Sequence, residues 1–271
     1  MEPNAKPLIR ASIVVIMLFQ VAALFSRQYL NRELVGSGYD ATVAKHLSYL
    51  VVPIISLVLM WPIVSENKEP LRLLLHRPKS WTKMIVAAIG VGFALRIVWW
   101  SCVFSLTSFG LLETARPGQA IDLSYYFACP PINVLILTVI VMSIFTPLTE
   151  EIISRGLILG AMSLRDPRLA VAISAALFAV LHQPSAIPSA FVFGVFAAVQ
   201  LLHHRNLWAP IISHGTYNLL ITLDWECLHA IWLPEKPAAS AVLFGIGILL
   251  VGLTSAAVAI WLVAFFKPGA D

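Results

Sequence analysis

Apolar runs long enough to cross a lipid bilayer recur along this chain, and they constrain its fold more than any other feature. A spanning helix needs roughly 20 mostly apolar residues. Runs of about that size lie around 11–25, 47–64, 84–109, 132–162, 169–183, 187–203, 207–223 and 238–266. The 271 residues are 59% hydrophobic and 12% charged, about half the charge of a soluble domain. The expected fold is therefore all-α: a polytopic membrane protein of about eight transmembrane helices forming a single transmembrane domain over 1–271. The first run resembles a signal peptide in its basic flank of Lys6 and Arg10, but no small-residue cleavage site follows it and seven further runs do.

The net charge of +4 concerns orientation and lipid headgroups. No basic stripe with interleaved aromatics is present, so no nucleic-acid partner is expected. With the N-terminus cytoplasmic, twelve lysines and arginines fall on the cytoplasmic side and five (Arg27, Arg32, Lys45, Arg116, Lys236) on the other. That bias predicts cytoplasmic N- and C-termini, with the connection Ser65–Lys83 inside and Leu223–His229 outside. Cys102, Cys129 and Cys227 form no CxxC spacing. Cys129 and Cys227 fall in outer connections, where a pairing is conceivable only in an oxidising compartment.

Ionisable residues inside spans are costly and call for a partner or a function. The candidates are Arg96, Glu150, Glu151, Arg155, His182 and His214, with the amide Asn218. Counted along helices from the cytoplasmic ends, Glu150 lies roughly 18 Å deep, His182 roughly 20 Å, His214 about 11 Å and Asn218 about 17 Å. A lone Glu–Arg pair at a helix end is usually a snorkelling anchor, and a lone His in an apolar helix is usually a packed residue. Convergence of several such groups from three helices at similar depth favours a functional site.

Spacing suggests roles. Glu151 and Arg155 are four apart in the favourable acid-before-base order, which predicts a structural ion pair. Glu150 is rotated about 100° away and is left for chemistry. His214 and Asn218 share a face, and Phe178 stands one turn before His182. Pro147 can kink the fourth span just ahead of the glutamates. Arg96, inside the third span, is expected to be a counter-ion to Glu150 or Glu151 or a receptor for a substrate carboxylate.

Glu150 with His182 can hold and deprotonate a water, and His214 with Asn218 can donate to the oxyanion formed when that water attacks a peptide carbonyl. The water is expected to arrive through a cavity open to the cytoplasm. Ser154 and Ser213 have no evident triad, and no nucleophile elbow is present. A catalytic zinc on Glu150, His182 and His214 is the alternative, though no HExxH occurs; metal-free acid–base chemistry, with no cofactor, is preferred.

The segments "EEIISR" (Glu150–Arg155), "FAVLH" (Phe178–His182) and "HGTYN" (His214–Asn218) resemble, in order, the EExxxR, FxxxH and HxxxN motifs of the CAAX protease and bacteriocin-processing family. The resemblance covers roughly 130–223. It implies an eight-helix intramembrane endopeptidase of glutamic type, formerly classed as a metalloprotease. By it Glu150 is the base for water, His182 its assistant, and His214 and Asn218 the oxyanion hole. Substrates would be membrane or lipidated proteins, cut near a C-terminus or a membrane segment. A short chain with small loops fits a bacterial plasma-membrane member. A non-enzymatic immunity or scaffold protein using the same polar cluster for binding is the alternative from another class.

Overall fold

The computed structural model describes residues 9–78, 80–111, 131–162, 166–227 and 239–265, which are helical with no strand. Helix α1 runs Ile13–Gly36, α2 Ala41–Glu66, α3 Lys68–Leu74 and α4 Trp81–Ser108. The long α5 covers Ile132–Met162; then come α6 (Pro167–Ala179), α7 (Ile187–His204), α8 (Trp208–Cys227) and α9 (Ala239–Phe265).

Six of these helices, α1, α2, α4, α5, α7 and α9, are long and apolar enough to cross a membrane. The chain is an integral, multi-pass membrane protein of all-α architecture. The expected count of eight is not reached on length and apolarity among the described residues. Helix α6 has only 13 residues, about 20 Å of rise against a hydrocarbon core of about 30 Å. Helix α8 has 20 residues, but Ser213, His214, Thr216 and Asn218 interrupt its apolar surface.

Lipid, not water, is the solvent for the outer faces. Helix α1 buries only Ile16, Gln20 and Ala23, a stripe of one turn and then another, while Val14, Leu18 and Phe25 are exposed. That stripe pairs α1 with α2, where the Ser56 hydroxyl donates to Gln20 Oε1 at 3.5 Å. Between them Gly38 takes a left-handed φ of +89°, and Asp40 starts α2 by accepting from the Val43 N–H at 3.2 Å.

Helix α6 begins with Asp166 accepting from the backbone N–H groups of Arg168 and Leu169, with Pro167 in the first turn. It stops at Ala179 because Pro184 forces Gln183 into an extended conformation, φ −61° and ψ 147°. His182 therefore stands in the turn between α6 and α7. The expected helix over 169–183 ends short of it.

One end of the bundle gathers the basic connections. The Arg10 N–H donates to Asn67 Oδ1 at 2.7 Å, Asn206 Nδ2 donates to the His76 carbonyl at 2.7 Å, and Trp208 Nε1 donates to the Leu75 carbonyl at 3.0 Å. Beneath this end lies a core of Ile16, Met60, Leu71, Ile153, Leu157, Leu159, Leu201 and Leu207. A second core joins α4, α6, α7, α8 and α9 through Val91, Leu95, Phe178, Phe193, Tyr217 and Ala259. Cys102 is an exposed free thiol; Cys129, and with it the Cys129–Cys227 pairing, lies outside the described residues, as do the last two residues of the Leu223–His229 connection, whose first five belong to α8.

Candidate active site

Helix α5 is not a regular α-helix, and its irregularities build the site. It carries two π-helical stretches, Val141–Phe145 and Ile152–Leu159, on either side of the α-helical Thr146–Glu151. In the first, the Thr146 N–H reaches back five residues to the Val141 carbonyl. The next donor would be residue 147, which is proline and has no N–H. The Met142 carbonyl is thus left without a helical donor, and Asn218 Nδ2 on α8 donates to it at 2.9 Å. An amide has two N–H groups; anchoring one to Met142 fixes the plane in which the other points. Pro147 therefore acts by freeing a carbonyl, beyond the kink expected of it.

Close packing of α8 on this stretch requires Gly215. A Cβ there would stand 2.5 Å from the Ser143 carbonyl oxygen, well inside van der Waals contact. In the second π-helical stretch the Ser154 carbonyl accepts from Ser174 Oγ on α6 at 3.0 Å.

The two glutamates are used differently, as their spacing predicts. Glu151 is fully buried and pairs with Arg155 Nε at 3.1 Å. Arg155, also fully buried, donates to the Gly194 carbonyl on α7 at 3.2 Å, and its guanidinium lies 4.3 Å from the centroid of the Phe178 ring. Gly194 also lets α7 pack closely on α6, since a Cβ there would stand 3.0 Å from Ala175 Cα. Spacing alone did not reveal the other partner of Glu151: His214 Nδ1 donates to Glu151 Oε1 at 2.7 Å. One carboxylate so joins an arginine of its own helix to a histidine 63 residues away.

Holding Nδ1 on Glu151 turns the opposite ring nitrogen of His214 towards Glu150, with Nε2 3.8 Å from Glu150 Oε2. That exceeds direct hydrogen-bond reach, and Glu150 Oε2 is buried with no hydrogen-bond partner. A water is the natural group to touch both. Phe193 and Phe178 pack on the His214 ring, with centroids 4.7 and 5.7 Å away. His182 packs on Phe178 at 4.7 Å, and its Nδ1 lies 2.9 Å from the Phe178 carbonyl. Because a carbonyl only accepts, Nδ1 carries the proton and Nε2 of the neutral ring is an acceptor.

Glu150, His182, His214 and Asn218 all line one cavity of about 250 Å³, together with Phe178, Ser154 and Thr138. Its wall also includes Gln20, Arg27, Lys45, His46 and Tyr49 from α1 and α2, helices outside the recognised motifs. None of the described residues that line this cavity comes from the basic connection Ser65–Lys83, the side on which the opening is expected. The cavity extends instead towards the α1–α2 connection, and the core containing Leu71 and Leu207 fills the other side.

Arg96 is buried, with its guanidinium 5.5 Å from the Trp100 ring and 5.8 Å from Tyr217. Glu151 pairs with Arg155 and His214, and Glu150 faces His214. Arg96 is not among the residues that line the cavity, whose cationic wall residues are Arg27 and Lys45. Among the described residues, no group of three or more His, Cys, Asp or Glu is placed so that it could hold a metal ion.

Residues 132–220 match the model of a family described as type II CAAX prenyl endopeptidase Rce1-like. Over that segment, the chain is similar to the CAAX protease family. The match spans α5 to α8 up to Leu220, and so contains every one of the residues that meet around Glu151. The CAAX protease family comprises intramembrane proteases acting on membrane-associated proteins. No curated protein matches this chain.

Proposed function

We propose that the protein is an intramembrane endopeptidase of glutamic type, which hydrolyses a peptide bond near the C-terminus or a membrane segment of a membrane-associated protein. The observation that carries this reading is the 3.8 Å separation of Glu150 Oε2 and His214 Nε2 on the cavity wall, with His214 held from behind by Glu151 at 2.7 Å. Water donates to Glu150 and to the acceptor nitrogen of His182. Glu150 removes its proton as the oxygen attacks the peptide carbonyl. The oxyanion is met by the second N–H of Asn218 and by His214, which donates from Nε2 when its ring is protonated. Glu150 then passes its proton to the departing amine, so acid and base are one group at successive steps. Phe178, Glu151 and Arg155 hold the histidines in place. The chemistry uses no metal.

The twelve-to-five distribution of cationic residues supports cytoplasmic N- and C-termini in a bacterial plasma membrane. In that orientation water reaches Glu150 from the non-cytoplasmic face. The test is to compare membrane-protein termini, by mass spectrometry, in cells making the wild type or Glu150→Ala. New termini confined to the wild type are expected. Identical termini, with the biological effect retained by Glu150→Ala, would replace this reading by a non-enzymatic immunity or scaffold role.

A further inference from the structure

A hydroxyl in a membrane span normally bonds back to its own helix, because lipid offers it no other partner. Thr107, Thr138, Thr149, Thr216 and Thr254 do so, each donating to the carbonyl four residues earlier at 2.8 to 2.9 Å. Thr146 and Thr222 do not: among the described residues, neither hydroxyl has a hydrogen-bond partner. For Thr146 the usual acceptor, the Met142 carbonyl, is already taken by Asn218 at 2.9 Å. Both exceptions line the cavity, and Thr222 does so while only 4% exposed. Ser154 is a third hydroxyl of this kind, 5% exposed, on the cavity wall and without a side-chain partner among the described residues. Buried polar groups that the fold does not use are costly, and on a cavity wall they call for a ligand.

Their spacing matches one ligand conformation. On α5, Thr138, Thr146, Glu150 and Ser154 lie at multiples of four residues, and on α8 His214, Asn218 and Thr222 do likewise, all on the cavity wall. Four residues of helix rise about 6 Å. The two helices run antiparallel along this wall, since Asn218 meets Met142 and His214 meets Glu151. Thr222, one turn beyond Asn218, therefore stands on the Thr138 side of Glu150, with Thr146 one turn from Glu150 on that same side. In an extended chain the backbone groups facing one side recur every second residue, about 6.6 to 6.8 Å apart. Rungs and strand thus stay in step for two to three repeats. A helical ligand has no such use for them, because its own backbone groups are bonded internally.

We propose that Thr146, Ser154 and Thr222 bind the backbone of a peptide segment held as an extended strand along the α5–α8 wall. Each hydroxyl accepts from a backbone N–H or donates to a backbone carbonyl of alternate residues. The substrate class is then a segment that unwinds readily, rich in glycine and β-branched residues, rather than a stable leucine–alanine helix. This deepens the proteolytic reading, and it rests on that reading only in placing the bond to be cut at Glu150.

Binding without turnover tests the groove separately from catalysis. Full-length Glu150→Gln protein in nanodiscs is titrated with a fluorescent valine–glycine–leucine peptide and with analogues in which one backbone amide at a time is replaced by an ester. Esters at alternate positions should weaken binding about three- to tenfold, and those between them should not. Thr146→Val and Thr222→Val should each erase the loss at one position, and Thr222→Ser should keep it, which shows that erasure is not misfolding. Thr254→Val, at an exposed hydroxyl bonded to Leu250, should leave the whole pattern intact. A leucine–alanine helix should bind about tenfold more weakly or worse. The proposal is overturned by losses at helical intervals, by no loss at any position, by no binding of any peptide, or by an alternating pattern that the threonine substitutions leave unchanged. A protein that binds in this pattern yet cuts nothing would sink the proposed function and leave the groove standing.

Discussion

Neutralising Glu151 by Glu151→Gln should damage the protein in two separable ways. The side chain is fully buried, with Arg155 Nε at 3.1 Å and His214 Nδ1 at 2.7 Å. Glutamine keeps the volume but strands the Arg155 guanidinium, itself fully buried, without its counter-charge. Breaking a buried pair from one side costs about 3–5 kcal/mol, a large part of the roughly 5–15 kcal/mol that separates folded from unfolded states. The second effect is on His214, whose Nε2 faces Glu150 only while Nδ1 is held; losing an oriented acid–base partner should lower kcat by about 10²-fold or more. Thermal unfolding in detergent reads the first effect, and single-turnover cleavage reads the second. The double variant Glu151→Gln/Arg155→Met removes both charges, so it should regain much of the stability and none of the activity. Glu150→Gln, at a side chain 24% exposed, should leave the unfolding temperature near wild type. A Glu151→Gln protein as stable and as active as the wild type would refute the assignment of Glu151 to both partners.

Three further outcomes follow from the same geometry. Asn218→Ala should reduce kcat by about 10²–10³-fold with KM little changed, as expected for one oxyanion donor; an unchanged kcat would remove Asn218 from the chemistry. Pro147→Ala supplies an N–H where none exists, so the Met142 carbonyl gains a backbone donor that competes with Asn218. Its kcat should fall towards that of Asn218→Ala, whereas combining the two substitutions should add little, and full additivity would show that Pro147 acts elsewhere. Cleavage by purified protein should continue in a strong chelator; loss in chelator restored by added zinc would establish the metal alternative.

Much of the site could be read from local spacing, because a helix converts sequence distance into direction. The Glu151–Arg155 pair, the separate direction of Glu150 and the contact of Phe178 with His182 all lie within one or two turns of a single segment. What spacing could not give was contact between segments. His214 on Glu151 and Asn218 on the Met142 carbonyl join residues 63 and 76 apart, and depth counting brought them near without pairing them. The π-helical stretches are not legible either, since the phase shift of an extra residue per turn shows only against a polar face, and the run Ile132–Phe145 is apolar nearly all round. Pro147 was a signal read as a kink when its missing N–H mattered more.

Two expectations failed for identifiable reasons. The run that is apolar to Leu181 predicts a helix through His182, although Pro184 marks the stop. The charge bias predicts an opening on the side with most charge, yet the basic connections at that end tie to one another and to the core beneath them, while Arg27 and Lys45 line the cavity at the other. The polar residues of α1 and α2 carry no motif, and only the packing of these helices against α5 brings them to it.

The central claim is that Glu150 activates water for peptide hydrolysis inside the membrane domain. The most direct measurement is cleavage of a substrate, identified from the terminus comparison, by purified wild-type and Glu150→Gln protein in nanodiscs, run in ¹⁸O-labelled water. The wild type should place one labelled oxygen on the new C-terminal carboxylate, and Glu150→Gln should produce no cleavage while unfolding at the wild-type temperature. Cleavage by a well-folded Glu150→Gln protein at the wild-type rate would contradict the account.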